Sequence, residues 1–229
     1  EYGWDEISGE FDSESSVLIV GTHIGSLLIP IAKRVRKVCG IEANPETFKL
    51  LSLNIQLNNV TNVRIENIAA SDKKEDLEFI LSRTNSGGSK RLPEISDDRY
   101  FSDNPKIIRV PAFKLDDFLQ ENYDHIIMDI EGSEVPALRG MQRLLKNAKS
   151  LQVEFIPHHL KNVTCVTVAE FIAAIDPFFK EISIPTKNFT SNPADALPLL
   201  QSMFEKDEED PAIIFRSNET SVSAPELHV

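Results

Sequence analysis

The chain has 229 residues, 41% hydrophobic and 26% charged, and its 24 basic against 36 acidic residues leave a formal net charge of −12. That composition is ordinary for a globular domain, and no apolar run approaches the roughly 20 residues a membrane-spanning helix needs. Repulsion from phosphate backbones and anionic lipid argues against nucleic-acid and membrane partners and leaves a small-molecule or carbohydrate ligand as the expected partner.

Val17-Leu18-Ile19-Val20 is a β-branched, apolar run closed by Gly21, the pattern of a strand buried on both faces of a parallel sheet. After the Gly21-Thr22-His23-Ile24-Gly25 turn, Leu27, Leu28, Ile31, Ala32 and Val35 recur at helical spacing, with Pro30 expected to remove a donor near the start. Lys33, Arg34, Arg36 and Lys37 then mark the solvated end of that helix. A second strand runs from Lys37 to Glu42. Asn44-Pro45-Glu46 is a helix start with Asn as cap and Pro at the first helical position, and Phe48, Leu51, Ile55 and Leu57 carry the helix toward Asn58-Asn59. Val63-Arg64-Ile65 gives a third strand, completing the β-α-β-α-β order of a doubly wound sheet.

Leu77 to Leu81 is a further candidate strand, and Ser82 to Asn104, rich in Ser, Gly, Asn and Asp, reads as a long loop whose Asn85 to Gly88 stretch is a candidate lid. Leu115 to Gln120 reads as a short helix, His125 to Ile130 as a fourth strand, Val135 to Leu145 as a helix and Leu151 to Phe155 as a fifth strand. Val166 to Ile175 is an amphipathic helix stopped by Asp176-Pro177. Phe179 to Ile184 and Ala212 to Phe215 close the sheet, with a partly exposed insert ending in Glu205 to Asp210 between them. The expectation is one α/β domain over residues 1–229 with a mostly parallel seven-stranded sheet, helices on both faces and a frayed tail over 217–229. Cys39 and Cys165, in apolar surroundings and without metal-type spacing, are expected as small buried residues. With no secretory apolar stretch at Glu1 to Asp5, they point to a reducing cytoplasm.

In an open parallel sheet a ligand lies at the carboxyl ends of the strands where chain order reverses, so the residues after the first, second and fourth strands are the candidate site. Gly21 and Gly25 let the backbone turn sharply, and the N–H groups that follow are expected to meet a negative group. Glu42, about 20 residues beyond Gly21, is placed to accept hydrogen bonds from both hydroxyls of a ribose. No third glycine completes a dinucleotide fingerprint, which favours a nucleoside without pyrophosphate.

Five segments in order, Val-Leu-Ile-Val-Gly-Thr-His-Ile-Gly (17–25), Ile-Glu-Ala-Asn-Pro (41–45), Ile-Ala-Ala-Ser-Asp (68–72), Ile-Met-Asp-Ile-Glu-Gly-Ser-Glu-Val-Pro-Ala-Leu-Arg-Gly (127–140) and Leu-Gln-Val-Glu-Phe (151–155), resemble the motifs of FkbM-type S-adenosylmethionine-dependent methyltransferases. The resemblance implies the Rossmann-like class I methyltransferase fold, S-adenosylmethionine as cofactor, and methyl transfer to a hydroxyl of a small molecule, sugar or glycan. It places Gly21, Thr22, His23 and Gly25 around the methionine part, Glu42 and Ala43 at the ribose, Ile68, Ala69 and Ala70 beside the adenine, and Asp129 at the strand end. Ile19 stands where the family usually carries an Asp that helps place the cofactor ammonium, and His23 where it carries an Asn.

A hydroxyl acceptor must lose its proton, and the candidate bases are Asp129, Glu131, Glu154 and His158. Each has a plainer reading: a helix cap for Asp129, a solvated acid for Glu131, an ion-paired acid for Glu154, a surface residue for His158. No metal site is assigned, because the adjacent His158 and His159 lack paired ligand spacing. Two other functions stay open, a nicotinamide-dependent oxidoreductase on the same sheet and a non-enzymatic member that keeps the fold for binding or assembly, as does homo-oligomerisation.

Overall fold

The computed structural model describes residues 9–217. In chain order the strands are β1 (Ser16–Val20), β2 (Lys37–Ile41), β3 (Val63–Glu66), β4 (Ala69–Ala70), β5 (Glu75–Leu81), β6 (Lys90–Arg91), β7 (Lys106–Phe113), β8 (His125–Met128), β9 (Ser150–Phe155), β10 (Glu181–Ile184), β11 (Phe189–Ser191) and β12 (Asp210–Arg216). They form an eight-stranded sheet in the order β11-β10-β12-β9-β8-β1-β2-β3 and a four-stranded sheet in the order β4-β7-β5-β6. In the large sheet β3, β2, β1, β8 and β9 are parallel, and β12, β10 and β11 follow with antiparallel pairings. The sheet is therefore mixed and has one strand more than expected, β11.

β1 is buried along its whole length because both faces are covered. Its alternate side chains enter different cores: Leu18 and Val20 pack with residues of β8, β9, β12 and the helices Glu134–Arg139 and Val168–Ala173, whereas Val17 and Ile19 pack with Leu28, Ile31 and Leu51. Each such side chain stabilises the fold by about 1.5–3 kcal/mol relative to exposure. The chain leaves β1 for β2 on one side and later returns to β8 on the other, so the order reverses beside β1.

Local signals held where caps or uninterrupted apolar runs carried them. The helix Pro45–Leu57 starts at Asn44, whose side-chain oxygen accepts from the Glu46 N–H at 2.9 Å. Pro30 falls in the first turn of Leu28–Ala32, where its missing donor has no intrahelical partner to lose. The expected Val135 to Leu145 helix is instead two, Glu134–Arg139 and Gln142–Asn147. The break lies at Gly140, where a Cβ would stand 1.9 Å from the Ser71 carbonyl oxygen, so the chain must turn at a residue without one.

The stretch read as a long loop holds a 3-10 turn (Ser86–Gly88), β6 and a helix (Asp98–Phe101), and β7 follows it. β5 and β7 pair antiparallel along seven residues and bury Leu77, Phe79, Val110 and Ala112 in a third apolar cluster. The insert before β12 contains the helix Leu197–Lys206, and its last acid, Asp210, is buried, accepting from the Ala212 N–H at 3.0 Å and from the Thr186 hydroxyl. Cys39 is buried as expected but Cys165 is exposed, lying in the left-handed region at φ 53. Ser217 is tied to the Lys149 carbonyl at 2.9 Å, and the rest of the expected tail lies outside the described residues. Among the described residues no helix is long and apolar enough to cross a membrane.

Candidate active site

A cavity of about 1110 Å³ opens at the carboxyl ends of β1, β2, β8 and β9 and is walled on its far side by Leu77 and Phe79 of β5. On the β1–β2 side the backbone is closely engaged. Gly21 sits at φ +90, and a Cβ there would stand 1.8 Å from the Asp129 carbonyl oxygen, so the first turn and the end of β8 touch backbone to backbone. The Gly21 and Thr22 N–H groups both donate to the Ile41 carbonyl (2.9 and 3.1 Å), the His23 N–H to Glu42 Oε2 (2.7 Å) and the Gly25 N–H to the Thr22 carbonyl (2.9 Å). These donors, expected to meet a ligand, are instead satisfied within the protein, and the helix that follows has only five residues.

Glu42 is buried at the end of β2 and accepts three hydrogen bonds: from the His23 N–H, from the Asn44 N–H (2.8 Å) and from the Thr47 hydroxyl (3.0 Å), the last two at Oε1. A carboxylate has about four acceptor positions, so one remains, on Oε2, for a ligand hydroxyl rather than two. Burial pushes its carboxyl above the ordinary range, and the three donors oppose that. The Asn67 amide donates to the Glu42 carbonyl at 2.7 Å and fixes this strand end. Ala43, Ile68, Ala69 and Ala70 supply an apolar wall.

The β8–β9 side is a crowd of acids. Asp129, Glu131 and Glu154 each offer an oxygen within 4.8 Å of the others. Asp129 has accessible surface and lines the cavity, so that surface faces the cavity interior. Glu154 hydrogen-bonds Asp129, and burial raises both carboxyls, Glu154 further because of the Asp129 and Glu131 charges beside it, so the pair holds a shared proton at neutrality. Burial also raises Glu131, opposed chiefly by Lys90. Lys90 is 5% exposed, and its Nζ lies 2.7 Å from Glu131 Oε2 and 2.7 Å from His159 Nε2.

The turn carrying these acids is held by Glu134, buried at the start of Glu134–Arg139. Its Oε1 accepts from the Ile130 and Gly132 N–H groups, both at 3.2 Å, and burial pushes its carboxyl up to about 7. Glu131 itself sits in the left-handed region at φ 58, a conformation costing about 1–3 kcal/mol outside glycine.

Of the residues singled out from sequence, Gly21, Thr22, His23, Glu42, Ala43, Ile68, Ala69, Ala70, Asp129, Glu131 and Glu154 line this cavity. Gly25 does not; it sits beneath the turn against Leu51 and Ile29. Nor does His158, whose Nδ1 lies 3.5 Å from both Asp207 and Glu209. The inward histidine is its neighbour His159, on the six-residue helix Pro157–Asn162. Sequence reading also missed Lys90, Glu134 and Gln152; Gln152 had a signal, an amide inside an otherwise apolar strand next to Glu154, whereas Lys90 stood in a stretch read as loop.

Five parallel strands reversing order beside the first, with an acid closing the second, define the class: a Rossmann-like, nucleoside-binding type of fold. The methyltransferase FkbM domain model matches residues 20–182, and the chain belongs to that family, whose methyl donor is S-adenosylmethionine. Among solved structures it is similar to a methyltransferase FkbM from Methylobacillus flagellatus KT, at 16% identity and a TM-score of 0.54. That match covers 90% of this chain and 44% of the other, so the chain spans less than half of that protein's length. It is also similar to an rRNA methylase from Streptococcus thermophilus, at 11% identity, a TM-score of 0.51 and coverage of 93% and 92%. No curated protein matches it in sequence. The site's residues fit the donor's chemistry: an acceptor position on Glu42 suits a ribose hydroxyl, and the apolar Ile68 to Ala70 wall suits a base.

Proposed function

We propose that the chain acts as a single methyltransferase domain that moves a methyl group from S-adenosylmethionine to a hydroxyl of a small molecule, sugar or glycan. The observation that carries this reading is one cavity with Glu42 on one wall and an acid cluster on the other. Glu42 Oε2 would hold a ribose hydroxyl, Ala43 would flank it, and Ile68, Ala69 and Ala70 would cover the adenine. Thr22 and His23 would border the methionine part. Bound there, S-adenosylmethionine supplies an electrophilic methyl on a sulfonium. The chain's own residues then have three tasks: to align the acceptor, to exclude water and to take a proton. Leu77 and Phe79 serve the second.

For the third, Asp129 and Glu154 are hydrogen-bonded to each other as a coupled pair that shares a proton, and His158 does not line the cavity. Glu131 is the cavity acid outside that pair, held by the Lys90 ammonium rather than by a second carboxyl, and the acceptor's proton is assigned to it. The net charge of −12 supports a small or uncharged acceptor over a phosphate backbone, and the unpaired cysteines support a reducing cytoplasm.

The test is incubation with methyl-labelled S-adenosylmethionine and a panel of sugars, glycans and small hydroxylated compounds, with an RNA transcript as comparison. The expected outcome is label on a hydroxyl acceptor together with S-adenosylhomocysteine release, and neither with RNA. Label on RNA alone, or on nothing while the cofactor binds, would contradict the proposal.

A further inference from the structure

Lys90 is the cation that the small sheet delivers to the acid cluster. A charged lysine is stable in an interior only when its ammonium is well partnered, and this one has three neighbours fixed by separate elements. Glu131 Oε2 lies 2.7 Å away in the turn after β8, His159 Nε2 lies 2.7 Å away on Pro157–Asn162, and the Tyr100 ring centroid, on Asp98–Phe101, lies 5.2 Å away. Its own place is set by main-chain pairing, since Lys90 stands opposite Ile80 in the β5–β6 ladder. Because Nε2 of His159 accepts from an ammonium, the ring proton must sit on Nδ1 and the ring is neutral, consistent with burial and Lys90 pushing it down to about 2. His159 Nδ1 approaches Glu131 Oε2 at 3.2 Å but outside hydrogen-bonding geometry, so Lys90 is the group that directs that oxygen.

We infer that Lys90 is a positioning residue for the proposed methyl transfer: its ammonium pins Glu131 Oε2 from behind, holding the carboxylate in its strained turn with Oε1 presented to the acceptor's proton. The inference rests on the reading above, in which Glu131 takes that proton. The carboxylate that partners this buried ammonium is the turn acid that lines the cavity from a left-handed backbone position, so the same contact that keeps the lysine charged also fixes the acid. The groups facing Glu131 and Lys90 are Asp129 and Glu154 from the strand ends, His158 and His159 from Pro157–Asn162, Tyr100 from Asp98–Phe101, and Glu209 ahead of β12, with Arg99 one step further out against the two histidines. Lys90 is the cation in direct contact with Glu131.

The experiment follows the Glu131 side-chain carboxyl by carbon-detected NMR across pH in the full chain, with Glu131→Gln assigning the signal, and measures S-adenosylhomocysteine binding by calorimetry in parallel. In both Lys90→Met and Lys90→Gln the Glu131 midpoint should rise by about one pH unit or more, a tenfold change in its acid constant, and in Lys90→Arg stay within about 0.3 unit of the parent. Making two neutral variants keeps the test decisive if one fails to fold. An unmoved midpoint in a folded neutral variant, in a parent that binds S-adenosylhomocysteine, overturns the role of Lys90 alone. A parent that does not bind S-adenosylhomocysteine overturns the functional reading and this role with it.

Discussion

The two walls of the cavity occupy the same topological position, the carboxyl ends of adjacent parallel strands, and partner their buried acids in different ways. At β1–β2 one carboxylate, Glu42, meets three protein donors, and the N–H groups around it are consumed by neighbouring carbonyls. At β8–β9 three carboxylates bring oxygens within 4.8 Å of one another, one of them paired with a lysine, and a proton must be kept to make the arrangement tolerable. Three hydrogen bonds fix the carboxylate and leave one acceptor position open, which suits holding a cofactor. Crowded acids shift proton affinities, which suits taking a proton from an acceptor.

The contrast can be broken by substitution. The largest effect is expected at the point where the walls touch: Gly21→Ala drives a Cβ into the Asp129 carbonyl and forces a non-glycine residue to φ +90. It should cost about 4 kcal/mol or more, a fall of at least about 8 °C in Tm by calorimetric melting. An unchanged Tm would mean the walls are not in contact.

Next is pH. Glu134 is raised in the folded chain to about 7 from an ordinary 4.5, so between those values the native state binds the extra proton. Its contribution is fully present below about 4.5 and is lost as pH rises through about 7, on the order of 3 kcal/mol in all. Urea midpoints at pH 5 and pH 8 should therefore fall in the parent and fall less in Glu134→Gln.

The sharpest contrast pairs two identical substitutions. Glu42→Gln sets an amide donor against backbone donors and should destabilise by about 1–3 kcal/mol. Glu154→Gln replaces a carboxyl that is costly to bury and should stabilise by on the order of 2 kcal/mol at pH 8, fading toward pH 4. The same sign for both in urea unfolding would abolish the distinction between the walls. The smallest effect belongs to His23, whose Nε2 meets Ser86 Oγ at 2.8 Å on an exposed edge; His23→Ala should cost about 1 kcal/mol or less.

The β1–β2 wall was legible in sequence because its signals are local: an unbroken apolar run, a glycine at the bend, an Asn-Pro helix start and an acid at the strand end. The β8–β9 wall was half legible. Asp129, Glu131 and Glu154 stand at strand ends in a motif, but which of the adjacent histidines turns inward depends on the phase of a six-residue helix, which carries little periodicity. Lys90 was illegible for a stronger reason. The small sheet that delivers it is built from β7, where Lys106, Arg109 and Pro111 interrupt the apolar alternation, and from a two-residue β6 within a Ser- and Gly-rich stretch. Those strands exist through pairing with β5, a non-local fact. The Thr47 hydroxyl and His23 N–H that occupy Glu42 were illegible for the same reason, since they arrive only with the fold.

The account stands most directly on Glu42, and calorimetric titration of the parent and of Glu42→Ala with S-adenosylhomocysteine and with NAD tests it. The parent should bind S-adenosylhomocysteine in preference to NAD, and Glu42→Ala, folded by its own melt, should bind it at least about tenfold more weakly, as loss of one charge-assisted hydrogen bond requires. Equal binding by parent and variant, or a parent that prefers NAD, would contradict the placement of the nucleoside against the end of β2.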